Sequence, residues 1–83
     1  MISFENPAFA EYWQWAKDDR KVFNKITSLI NDIVRDPFNG IGKPEPLKHE
    51  LSGSWSRRIT EEHRLVYKVE NGQITITSCK YHY

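Results

Sequence analysis

The sequence predicts an α+β fold in which an N-terminal helical hairpin packs on one face of a curled antiparallel β-sheet. Two observations carry that expectation. Apolar residues repeat at helical spacing up to Asp36-Pro37, and from Trp55 onward they repeat with a period of two. Gly40, Gly42, Pro44, Pro46 and Gly53 fall between the two regimes, so the change of period coincides with a loop. Helices on one side of such a sheet bury its apolar face and leave the other face for function. At 83 residues the chain has room for one domain, 1–83, and one core.

Taken in order, Ile2-Ser3-Phe4 is β-prone but short enough only for an edge strand. Asn6-Pro7 predicts a helix start, with Asn6 as the capping acceptor and Pro7 at the first helical position. Phe9, Trp13 and Ala16 follow at helical spacing. Asp18-Asp19 interrupts and caps a second helix, whose stripe runs Val22, Phe23, Ile26, Leu29, Ile30 and Ile33. Asp36-Pro37 closes it, because proline disfavours helical geometry in the residue before it. Residues 38 to 54 read as a structured loop without regular secondary structure, anchored by Leu47 and Leu51. Trp55, Arg57 and Ile59, then Leu65, Tyr67 and Val69, then Ile74 and Ile76 alternate as strands. Asn71-Gly72 predicts a two-residue hairpin turn, since both residues tolerate positive φ. The aromatics Phe9, Trp13, Phe23 and Trp55 are read as core.

Composition narrows the function classes. Twelve basic and eleven acidic side chains leave a formal charge of +1, so long-range attraction for free nucleic acid is weak and any RNA contact must be local. Residues 43 to 83 carry seven basic and five acidic groups, against five and six before them, which points to a functional surface in the second half. A lone Cys79 rules out an internal disulfide and fits a reducing cytoplasm. No apolar run approaches the roughly 18 residues of a membrane span, and no leader pattern opens the chain, so a soluble, cytoplasmic protein is expected. His49, His63 and His82 lie far apart in the chain, with no paired cysteines and no carboxylate spacing of a ligand set, so no metal site and no cofactor are expected.

Metal-free acid and base chemistry remains. RNA supplies its own nucleophile, the 2′-hydroxyl; cleavage then needs a base, an acid for the leaving 5′-oxygen and a cation for the phosphate. Glu45, between Pro44 and Pro46, is a candidate general base, or else an exposed loop glutamate. Arg64 is expected on the face opposite Leu65 and Tyr67, where a guanidinium can hold phosphate oxygens or pair with Glu61 or Glu62. His82 is a candidate general acid, because an imidazole is the side chain whose reference pKa lies near neutrality, or else part of a frayed terminus. Tyr83 is either a stacking or hydroxyl donor group or a loose terminal aromatic. Lys48, Arg57 and Arg58 are candidates for flanking phosphates, or solvated charges. His63 belongs to the same polar crowd.

Gly42-Lys43-Pro44-Glu45-Pro46-Leu47-Lys48-His49, Leu51-Ser52-Gly53, the run from Trp55-Ser56-Arg57-Arg58 through Glu62-His63-Arg64-Leu65-Val66-Tyr67, and the ending Tyr81-His82-Tyr83 resemble the YoeB toxins over nearly the whole chain. The resemblance is dense from Pro37 onward. It implies a RelE-like fold and a toxin of a type II toxin-antitoxin system that cleaves messenger RNA in the ribosomal A site without a metal. By motif it makes Glu45 the general base, Arg64 the phosphate stabiliser, His82 the general acid and Tyr83 a shaping residue, with Lys48 and Arg58 as phosphate contacts. A homodimer and a YefM-like antitoxin are implied as partners, alongside the ribosome and its mRNA. The alternative is a ParE-like toxin that shares the fold but binds gyrase without being an enzyme; it has no need of Glu45, Arg64, His82 and Tyr83 together.

Overall fold

A computed structural model describes residues 1–81. β1 (Ile2–Phe4) is followed by α1 (Asn6–Asp18), α2 (Arg20–Arg35), β2 (Glu45–Pro46), a 3-10 turn (His49–Leu51), β3 (Ser54–Arg58), β4 (Arg64–Glu70) and β5 (Gln73–Ser78). The strands form one sheet in the order β1-β5-β4-β3-β2. β2 to β5 are antiparallel neighbours, as the alternation predicts. β1 instead runs parallel to β5, with Ser3 opposite Thr75, so the sheet is mixed. Its edge position is the expected one, but a period of two says nothing about which strand it joins.

The helix boundaries follow local chemistry with one correction. Asp19 accepts from the backbone N–H groups of Lys21 and Val22, capping α2 as expected, and α2 ends at Arg35 before Asp36-Pro37. α1 begins one residue earlier than predicted: Glu5 occupies the cap without a side-chain hydrogen bond, and Asn6 is already helical. The reason is that Glu5 N–H still bonds Ile76 O at 2.9 Å, so Glu5 alone carries the chain from sheet to helix. The inward face of α1 also differs. Ala8, Tyr12 and Trp15 turn toward the sheet, while Phe9 and Trp13, expected in the core, are 47% and 52% exposed. Aromatic residues stand all round this helix, which hides the phase of its apolar stripe. α2 has no such ambiguity: Ile26, Leu29 and Ile33 are fully buried against Leu65, Tyr67 and Ile76.

Two irregularities shape the sheet. The Glu70–Gln73 pair closes over Asn71 and Gly72, both at positive φ, which is the predicted hairpin turn. A bulge shifts the β4–β5 register between Val66 and Tyr67, so Ser78 rather than Thr77 faces Val66. The extra residue reverses the alternation beyond it, turning Cys79 inward, where its thiol is buried and donates to Ala8 O. Burial, with Glu11 beside it, pushes that thiol up to about 12. The segment expected to lack regular structure contains β2 and the 3-10 turn. β2 is a two-residue edge strand, where Pro46, without a donor, breaks no ladder.

Arg57 requires a further correction. Rather than reaching a phosphate, it is wholly buried under the segment that follows α2. Its guanidinium donates to Asp32 Oδ2 and to the carbonyls of Asp36, Asn39 and Ile41, and its Nε to the Tyr67 hydroxyl, which donates on to Pro37 O. The Arg57 and Arg35 hydrogen bonds hold the Asp32 carboxyl down to about 2 from 3.8. A depressed carboxyl stabilises the fold above its unfolded value, and that contribution disappears as pH falls from 3.8 through about 2. Thermal melting followed across that window should therefore decline more steeply for the native chain than for Asp32→Asn; parallel declines would refute the role of this carboxylate.

Candidate active site

The sheet face turned away from the helices carries the candidate site. Because Trp55 and Arg57 on β3 and Leu65 and Tyr67 on β4 point to the helix side, Ser56, Arg58, Arg64 and Val66 point the other way. Arg58 stands directly opposite Arg64, and Ser56 opposite Val66. On the other side of β3, Glu45 stands opposite Ser56. One carboxylate and two guanidiniums thus share a face across three adjacent strands, each about 4.8 Å from the next. Ser56 and Val66, 3% and 5% exposed, form the floor between them. Two like charges directly opposed on neighbouring strands repel, and an anion bound between them removes the penalty.

The local backbone fixes each group. Gly42, at φ +79°, passes so close to β3 that a side-chain carbon there would lie 2.8 Å from Leu29 and 3.2 Å from Arg57, and its carbonyl accepts Arg58 N–H at 2.6 Å. This contact ties the approach to Glu45 against β3. Glu45 then lines a cleft of about 370 Å³ with Pro46, Leu47, Lys48, His49 and Leu51, which places Lys48 beside it with its side chain exposed. On the other flank, Arg64 Nη1 donates to the carbonyls of Thr60, Glu61 and His63, so the head of this arginine is braced by the turn between β3 and β4. The same turn is closed by Thr60 Oγ1, which accepts from the N–H groups of Glu62 and His63.

Two residues with no individual role expected from the sequence adjoin Arg64. His63 is 8% exposed, packed edge-on against Trp15, and its Nδ1 accepts Tyr81 N–H at 2.7 Å. Tyr81 O in turn accepts Arg64 N–H at 3.0 Å. The signal for His63 was present in the alternation, since residues 63, 65 and 67 share the inward face of the chain. Lys80 Nζ lies 5.3 Å from the centre of the Tyr81 ring, which is itself exposed. His82 and Tyr83, the candidate acid and shaping residue, lie outside the described residues. Among the described residues, no group of three or more His, Cys, Asp or Glu side chains is placed to hold a metal ion, and no helix is long and apolar enough to cross a membrane.

Comparison with known proteins agrees over the whole fold. A family profile described as a YoeB-like toxin of bacterial type II toxin-antitoxin systems matches residues 4–83. Toxin YoeB of Escherichia coli K12 is 58% identical over 82 residues, covering 99% of this chain and 98% of that protein. A YoeB/ParE toxin from Agrobacterium tumefaciens superposes with a TM-score of 0.95 at 40% identity, covering 99% of this chain and 98% of its own. The Staphylococcus aureus toxin matches both in a heterotetrameric YoeB-YefM complex, with a TM-score of 0.91 and 49% identity over 100% and 97% of the chains, and as a YoeB dimer, at 0.90 and 49% over 99% and 95%.

Proposed function

Because the chain belongs to the YoeB-like toxins of bacterial type II toxin-antitoxin systems, we propose that it is a single-domain, metal-independent endoribonuclease that cuts messenger RNA in the ribosomal A site. The observation that carries the reading is the grouping of Glu45, Arg58 and Arg64 on one open sheet face, next to the backbone that leads to His82. In this mechanism the Glu45 carboxylate takes the proton of the 2′-hydroxyl, whose oxygen attacks the adjacent phosphorus. Arg64, with Arg58 and Lys48, bears the charge that builds on the phosphate oxygens. His82 gives its proton to the departing 5′-oxygen, and Tyr83 completes the site. The products are a 2′,3′-cyclic phosphate and a 5′-hydroxyl. A formal charge of only +1 provides little pull on free RNA, so delivery of the substrate falls to the ribosome.

The toxin works in the cytoplasm as a homodimer and is silenced by a YefM-like antitoxin, the partner named in the Staphylococcus aureus complex. Primer-extension mapping on translating ribosomes tests the enzymatic part. The native chain should give codon-phased cuts, and Glu45→Ala and His82→Ala should each lose about 10²- to 10⁴-fold in rate, as general base and acid groups do. An active preparation that leaves mRNA intact but blocks gyrase supercoiling would transfer the chain to the gyrase-binding class.

A further inference from the structure

Tyr81 is a non-glycine residue in the left-handed region, at φ +63°, a conformation that persists only where its surroundings hold it. Both polar groups of its backbone are held. The N–H donates to His63 Nδ1 at 2.7 Å, and the carbonyl accepts from Arg64 N–H at 3.0 Å. His63 is no casual acceptor. It is 8% exposed and wedged between the rings of Trp15 and Tyr81, with centroids at 4.9 and 5.3 Å. Trp15 is itself fixed, donating from Nε1 to Cys79 O at 2.9 Å. A ring nitrogen that accepts an N–H carries no proton, so His63 here is the neutral imidazole protonated at Nε2.

A buried imidazole whose one acceptor is spent on a strained backbone amide, immediately before a residue proposed to hold phosphate, has a task beyond filling space. We infer that His63 is a positioning residue: by accepting Tyr81 N–H it fixes the Tyr81 backbone, which Arg64 N–H also holds, at the residue that precedes His82 and Tyr83 in the chain. The inference rests on the ribonuclease reading. His63 acts through Tyr81 and touches neither substrate nor the reacting atoms.

Two kinds of variant separate positioning from packing. His63→Phe keeps the ring and its contact with Trp15 but removes the acceptor, whereas His63→Asn offers Oδ1 close to the position of Nδ1. In addition, Cys79 allows the last five residues to be joined as a synthetic peptide, so the amide of Tyr81 can be replaced by an ester that deletes the donor and leaves every side chain intact. Hydrogen exchange at Tyr81 and single-turnover cleavage on ribosomes are then measured together. The Phe variant should lose Tyr81 amide protection, and both it and the ester chain should cleave about 10²-fold more slowly at unchanged ribosome affinity, the scale of a displaced catalytic group. The Asn variant should recover most of that loss. Equal rates for the ester chain and the native chain, or equal impairment of Phe and Asn variants, would overturn the inference. A native chain that keeps Tyr81 protected yet cleaves no mRNA would instead bring down the ribonuclease reading, and the positioning role with it.

Discussion

Arg64→Ala is expected to slow single-turnover cleavage about 10²- to 10³-fold, the loss seen when a donor aimed at developing charge is removed. Arg64 faces Arg58 across the β3–β4 pair, and its Nη1 is pinned by three carbonyls of the preceding turn. The guanidinium is therefore aimed before any substrate arrives, and little reorganisation is left for the reaction itself. Arg64→Lys keeps a charge but loses the planar fork, so it should restore only a small part of the rate. The deficit should appear in kcat rather than in the concentration needed for half-maximal rate, because the charge being neutralised is greatest in the transition state. Full activity in the alanine variant, with a lowered melting temperature, would reduce Arg64 to a brace for the turn.

Arg57→Met should instead cost stability, about 3–4 kcal/mol, with any effect on activity following from it. The substitution keeps much of the buried stem but takes the guanidinium from Asp32 and leaves the carbonyls of Asp36 and Ile41 and the Tyr67 hydroxyl short of a donor around a side chain that is itself wholly buried. For a domain of this size each kcal/mol moves Tm by roughly 4–8 °C, so a fall of about 15–25 °C is expected by calorimetry. Tyr67→Phe, which removes only the hydroxyl bridging Arg57 and Pro37, should fall by a fraction of that. A change of less than about 1 kcal/mol for Arg57→Met would mean that water replaces the guanidinium at little cost.

The parts of the fold that were legible are the parts decided within a few residues. The stripe of α2, its Asp19 cap, its stop at Asp36-Pro37 and the Asn71-Gly72 turn each depend on neighbours in sequence. β1 was recognisable as a strand, yet its parallel partner lies beyond every intervening element. β2 is too short to show a period, and its flanking prolines read as loop. Arg57 is instructive because the alternation with Trp55 and Ile59 put it on the inward face, and only its charge argued for the surface. A buried polar network resolves that conflict, and nothing in local sequence announces one. In the site, the common face of Arg58 and Arg64 follows from the strand pattern, whereas the role of His63 depends on Tyr81, 18 positions away.

The parallel pairing of β1 with β5 also bears on how the molecule is made. Ser3 meets Thr75 across 72 positions, and Trp15 on α1 meets the carbonyl of Cys79 across 64. Synthesis starts at the N-terminus, so α1 can meet α2 early, through Tyr12 against Phe23 and Thr27, but β1 and Trp15 lack their sheet partners until almost all of the polypeptide has been made. Closing such long loops before any contact rewards them is slow, which places folding in the range of milliseconds or longer rather than microseconds. The turn at Tyr81, which depends on β4, β5 and α1 together, is then among the last features to form.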